Sequence, residues 1–132
     1  GRRLEQGPPG RRPVSDWPYF PEVSEKQDQD FMDKLIALRK AFNRPMIVTS
    51  SYRPPGHPDE IKKSQPGPHT FGRAVDIAIS GSDAFHLIAL AKEFSMRGIG
   101  LKQHGPHKKR FLHLDDMPNS SIRPRPTVWS YG

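Results

Sequence analysis

The sequence predicts an α+β fold, a small antiparallel sheet with helices packed on one face and a cleft on the other. Three observations carry this expectation. Two stretches, one opening near Ser24 and one near Ser82, repeat apolar residues at helical spacing. The segment Arg73 to Ile79 alternates, with Val75, Ile77 and Ile79 pointing one way and Ala74, Asp76 and Ala78 the other. A second alternating segment sets Leu112 and Leu114 against Phe111, His113 and Asp115.

At 132 residues the chain is long enough for one core and too short for two. Gly1 to Asp16 is rich in Gly, Pro and Arg, with only Leu4 and Val14 as aliphatics. It reads as a flexible linker or cloning remnant, which leaves 17–132 as a single domain. The first helix is expected from Ser24, whose hydroxyl would cap it with Gln27 as reciprocal partner. It would bury Phe31, Leu35, Leu38 and Phe42 before Asn43 and Pro45 end it. Met46 to Ser50 is a short β-branched run that reads as a strand. Residues 51–72 follow as a long loop, a length that in a compact domain points to function or disorder. After the Arg73–Ile79 strand, Ser82 would cap a second, largely buried helix running to about Arg97 and stopped by Gly98. Ile99 to Lys102 and Arg110 to Leu114 read as two strands joined by a hairpin region. Met117 to Gly132 is a proline-interrupted tail whose Val128, Trp129 and Tyr131 are expected to pack back onto the domain.

Composition narrows the function classes. Mean hydropathy is -0.75 and no run approaches the ~18 apolar residues of a membrane span, so none is expected. The first residues show no apolar core of a signal peptide. The absence of cysteine excludes disulfides, a thiolate nucleophile and cysteine zinc fingers, so any metal must be held by His, Asp and Glu. A formal charge of +7 points to a polyanionic partner: nucleic acid, an acidic cell wall or a membrane surface. Nucleic acid fits least. The pI near 10.0 and the run Lys108-Lys109-Arg110 suit it, but no binding motif stands behind them and few aromatics are interleaved with the basic residues.

If both helices cover the apolar face of the sheet, Asp76 and His113 are left facing the cleft. His69 lies seven residues before Asp76, in a loop that Gly72 lets turn sharply into the strand. His69, Asp76 and His113 could therefore meet around one ion, a two-nitrogen, one-oxygen set that suits zinc and leaves a fourth position for water. Each residue taken singly has a plainer reading. His69 would be a surface loop histidine, Asp76 a buried carboxylate satisfied by backbone donors, and His113 a half-buried sheet residue. An unpaired Asp in an otherwise apolar strand is costly, however, and a metal ion is one of the few partners that offsets the cost.

The string His69-Thr70-Phe71-Gly72-Arg73-Ala74-Val75-Asp76, followed by Gly98-Ile99-Gly100 and Phe111-Leu112-His113-Leu114-Asp115, resembles the zinc D-alanyl-D-alanine peptidases. Val48-Thr49-Ser50-Ser51-Tyr52-Arg53-Pro54 is similar to the strand and Ser-x-Tyr-Arg segment of the same family. The resemblance runs from about Phe31 to Asp116 and is nearest to the branch of murein endopeptidases and phage-encoded cell-wall peptidases. The ending Arg125 to Tyr131 is similar to tails of the phage members.

The resemblance implies a zinc peptidase domain that cuts peptidoglycan stem peptides or crosslinks containing D-alanine. It would act on the bacterial cell wall, in the periplasm, outside the cell or on a virion, as a monomer. His69, Asp76 and His113 would be the zinc ligands, and Arg53 would hold the substrate's carboxylate or the carbonyl oxygen that becomes negative. The general base departs from the family pattern. Some branches carry a His two residues before the last ligand or a Glu three before it, and here those positions are Phe111 and Arg110. Asp115 is the first candidate, His104 and His107 are rivals, and Asp115 has an equal alternative as the carboxylate that orients His113. The missing base keeps open a catalytically inactive, zinc-stabilised wall-binding module.

Overall fold

Helix α1 (Gln29–Phe42) begins where Asp28 accepts a hydrogen bond from the Phe31 backbone N–H at 2.9 Å, and ends where Asn43 turns into the left-handed region. It starts later than expected because Gln27 serves the interior instead. Gln27 is buried, and its amide donates to the Ala74 carbonyl at 3.3 Å, tying the approach of the helix to the sheet. The computed structural model describes residues 13–132. Most of the segment expected as a linker lies outside the described residues; within them, the Val14 and Ser15 N–H groups both donate to the Pro21 carbonyl.

The strands are β1 (Ile47–Ser50), β2 (Ala74–Ala78), β3 (Gly98–Lys102), β4 (Phe111–Asp115) and β5 (Thr127–Ser130). The long loop after β1 contains a short helix, α2 (Pro58–Ile61), and a 3₁₀ turn at Pro68–Phe71. Helix α3 (Gly81–Glu93) packs against α1. It buries only Ala84, Leu87 and Ala91 and leaves Phe85 exposed, so the expectation of a largely buried helix is corrected to a single buried face. It also ends sooner than expected, because Ser95 adopts φ +67° and turns the chain; Gly98 instead opens β3.

The sheet order is β1-β2-β4-β3-β5. Every pair is antiparallel except β3 with β5, so the expected antiparallel sheet gains one parallel edge. Strand β4 leaves the sheet beside Gly98, and the 116–126 connection re-enters at that same end, which forces β5 to run with β3. Val48, Val75, Ile77, Leu112 and Leu114 point to the core, where they meet Phe31, Leu35, Leu38 and Leu87. Burying each such side chain contributes about 1.5–3 kcal/mol. Of the three tail residues expected to pack back, Trp129 and Tyr131 do so on the opposite face, while Val128 is exposed. Asp116 is buried between Lys34 and Arg73, each 2.8 Å away.

One row across the sheet sets the site: Ser50, Asp76, His113, Gly100 and Trp129 are mutual neighbours on consecutive strands. Neighbouring strands lie ~4.8 Å apart. The register therefore brings Asp76 beside His113 although 37 positions separate them.

Candidate metal centre

His69 sits in the 3₁₀ turn that precedes β2. Gly72 ends that turn at φ +66°, where a Cβ would come within 2.8 Å of the Lys26 carbonyl, so only glycine fits. The Nδ1 of His69 is 2.8 Å from the Ser51 carbonyl. A carbonyl only accepts, so Nδ1 carries the proton and the Nε2 lone pair is left facing Asp76 Oδ1 at 3.3 Å. The Nε2 of His113 is 2.6 Å from Asp115 Oδ2, and its Nδ1 is 3.2 Å from the same Asp76 oxygen. Each ring is thus fixed through one nitrogen and presents the other to a single point.

Burial alone would raise the pKa of Asp76, but the His113 and His69 rings, when a second proton sits on the nitrogens that face it, outweigh burial and hold the carboxyl well below the usual carboxylate range. For His113 burial works downward, and the carboxylates of Asp115 and Asp76 reverse it. Two imidazoles and a carboxylate form a donor set suited to zinc, whose ligand atoms at about 2.0–2.1 Å in a tetrahedron stand roughly 3.3 Å apart. The two nitrogen–oxygen separations match that edge, and all three donor atoms lie within 4.8 Å of one another. The residues present fit the ion.

Arg53 reaches the same point from the loop after β1. Its Nε donates to Ser50 Oγ at 3.1 Å, and its two terminal nitrogens lie 3.4 Å from Glu60 Oε2 and Asp76 Oδ2. Its backbone N–H donates to the His69 carbonyl, so the arginine and the histidine are held to one another. Glu60 is buried and accepts from Lys63 at 2.8 Å and from the Gly67 N–H at 2.9 Å. Burial opposes its ionisation, yet Lys63 and Gly67 keep its pKa below the ordinary value.

Asp115 lies behind His113, fully buried. Arg125 grips it with two parallel hydrogen bonds of 2.9 Å, and the Met117 N–H donates to it at 3.2 Å. Burial would raise its pKa, but His113 and Arg125 hold it down at about 2. Both oxygens are occupied, and Asp115 does not line the cavity in front of the His69-Asp76-His113 cluster. His104 is exposed, with its ring against the Tyr131 carbonyl, and His107 is exposed in a 3₁₀ turn; neither lines that cavity. Phe111 forms part of the wall, whereas Arg110 turns away to the Gly105 carbonyl.

The cavity encloses about 350 Å³. Arg53 and Lys63 border it on the β1 side, and Arg125, Trp129 and Tyr131 on the β5 side. Sequence reasoning missed Arg125 and Glu60 as parts of the site. A signal for the tail did exist in Gly98 and Gly100, two glycines in one short strand. A Cβ at Gly98 would sit 2.5 Å from the Asp115 oxygens, and one at Gly100 would sit 2.8 Å from the Trp129 and Tyr131 rings.

A family model described as Peptidase M15 matches residues 20–115, a span that contains Arg53, His69, Asp76, His113 and Asp115. Comparison with curated proteins and with solved structures finds no match. Peptidases of this family are zinc-dependent, in keeping with the His-Asp-His cluster. With most of its length matched and the cluster assembled in the fold, the chain belongs to the Peptidase M15 family of metallopeptidases.

Proposed function

We propose that the protein is a zinc peptidase that hydrolyses D-alanine-containing bonds in peptidoglycan stem peptides or crosslinks, of the branch that holds murein endopeptidases and phage-encoded wall peptidases. The observation that carries this reading is the convergence of two imidazole nitrogens on one oxygen of Asp76, each ring fixed from behind by a separate acceptor. His69 through Nε2, His113 through Nδ1 and Asp76 through Oδ1 would hold the ion. The chemistry supplied by bound zinc is polarisation of the scissile carbonyl and a water pKa lowered toward ~7. Arg53 binds a substrate carboxylate or the carbonyl oxygen with its planar fork, a role supported by its place at the cavity edge. Of the two roles expected for Asp115, its saturated oxygens support the positioning one: it keeps the His113 proton on Nε2, and Arg125 keeps Asp115 ionised. The formal charge of +7 suits a wall bearing anionic carboxylates and phosphates.

The test is mass spectrometry of muropeptides incubated with the protein, with and without a chelator. Fragments with new termini that vanish on chelation and return with zinc support the reading, and their masses name the bond. Intact muropeptides under a zinc-loaded protein would refute it. The absence of a His or Glu at positions 111 and 110 favours one second reading, a zinc-stabilised wall-binding module. That module would show chelator-sensitive retention on peptidoglycan without cleavage.

A further inference from the structure

The tail beyond Met117 lies outside the span matched to the family, yet it closes one side of the cavity. Along strand β5 Val128 and Ser130 are exposed, while Trp129 turns to the cleft face, as does Tyr131 just after the strand. The Trp129 ring packs 5.1 Å from the His113 ring, centroid to centroid, and the Arg125 guanidinium lies over the same Trp129 ring, 5.1 Å from its centroid. The Tyr131 ring packs 5.1 Å from Phe111 and lies over Gly100, where even a methyl group would collide with it. The Trp129 indole stands edge-on to the Tyr131 ring, 6.4 Å between centroids. Among the described residues, no acceptor takes the proton of the Tyr131 hydroxyl. The ring is therefore held on several sides, and its own O–H is left for something that enters the cavity. Burial is the main cause that raises the phenol's pKa, with Asp76 adding to it, so it stays a neutral donor at working pH.

We propose that Tyr131 is a catalytic hydrogen-bond donor that binds the oxygen of the scissile carbonyl as negative charge develops on it, from the side of the cavity opposite Arg53, with Trp129 as its positioning residue. The inference rests on the peptidase reading above. It involves no proton transfer: the phenol keeps its proton and contributes a fixed dipole in a partly desolvated site, where a prearranged donor counts most. It also explains why a peptidase site would draw on a tail segment: β5 is the strand whose register with Gly100 brings an aromatic pair to the side of His113 away from Asp76.

Tyr131→Phe keeps the ring and deletes the donor. The zinc-loaded variant should retain stoichiometric metal and the parent's thermal midpoint. Its kcat on muropeptides should fall about 10²-fold with KM changed less than about threefold, the signature of one lost oxyanion donor. A phosphinate pseudodipeptide, which mimics the tetrahedral state, should bind correspondingly more weakly while the product peptide binds as before. Trp129→Phe should lose a smaller factor, and the double variant should be no slower than Tyr131→Phe alone. The proposal is overturned if Tyr131→Phe keeps its kcat and phosphinate affinity within about threefold of the parent, or if it loses phosphinate and product affinity equally. Failure of the parent protein to cut any muropeptide would instead bring down the peptidase reading, and this inference with it.

Discussion

Replacing Arg125 by Met keeps most of the apolar stem over Trp129 and removes the fork that holds Asp115. The Arg125 side chain is 7% exposed and that of Asp115 is fully buried, so the variant strands a carboxylate where water does not reach. Removing one partner of a buried ion pair costs about 3–5 kcal/mol. Asp115 keeps His113 and the Met117 N–H, which places the expected loss near the lower end, about 3 kcal/mol, or roughly 10 °C in thermal midpoint for a domain of this size. A slackened Asp115 no longer fixes the His113 ring, and loss of such an outer partner weakens metal binding by about 10–100-fold. Thermal denaturation followed by circular dichroism and zinc competition against a chromophoric chelator measure the two effects. Arg125→Lys should recover part of the stability and little of the zinc affinity, because one ammonium cannot reproduce two parallel bonds. Adding Asp115→Asn to Arg125→Met should cost less than the sum of the single losses, since the stranded charge is gone. An Arg125→Met protein with zinc affinity within twofold of the parent would refute the argument that the tail supports the metal centre through Asp115.

His69→Ala or His113→Ala should each abolish stoichiometric zinc and cleavage together; a His113→Ala protein that still cuts would remove the assigned centre. Arg53→Ala should keep zinc, measured by elemental analysis, while kcat/KM falls about 10²-fold, close to 2.7 kcal/mol, and concurrent metal loss would show that Arg53 serves the ligands instead. Glu60 has a folded pKa below its ordinary 4.5, so the stability it contributes is present above that value and is lost as pH falls through the lower folded one. The stability difference between the parent and Glu60→Gln should accordingly be full at neutral pH and shrink on acidification; a difference that grows as pH falls would reverse the assigned sign.

The periodicity of the chain determined its elements. Alternation at 74–78 and 111–115 sorted the apolar from the polar face, and the same alternation placed Asp76 and His113 together on the polar one. His69 was legible because Gly72 marks the turn that aims it. Capping was less legible: the pattern pointed to Ser24 with Gln27, whereas Gln27 is buried against Ala74 and Asp28 caps the helix. The part of the site beyond the three ligands belongs to the tertiary structure. Arg125 meets Asp115, and Glu60 meets Arg53, through contacts that no local period encodes. The parallel entry of β5 followed from where β4 leaves the sheet, a property of the whole topology. Local pattern decides which way a side chain points, because the backbone repeat is local; what it meets there depends on strands whose pairing is settled only when the chain closes on itself.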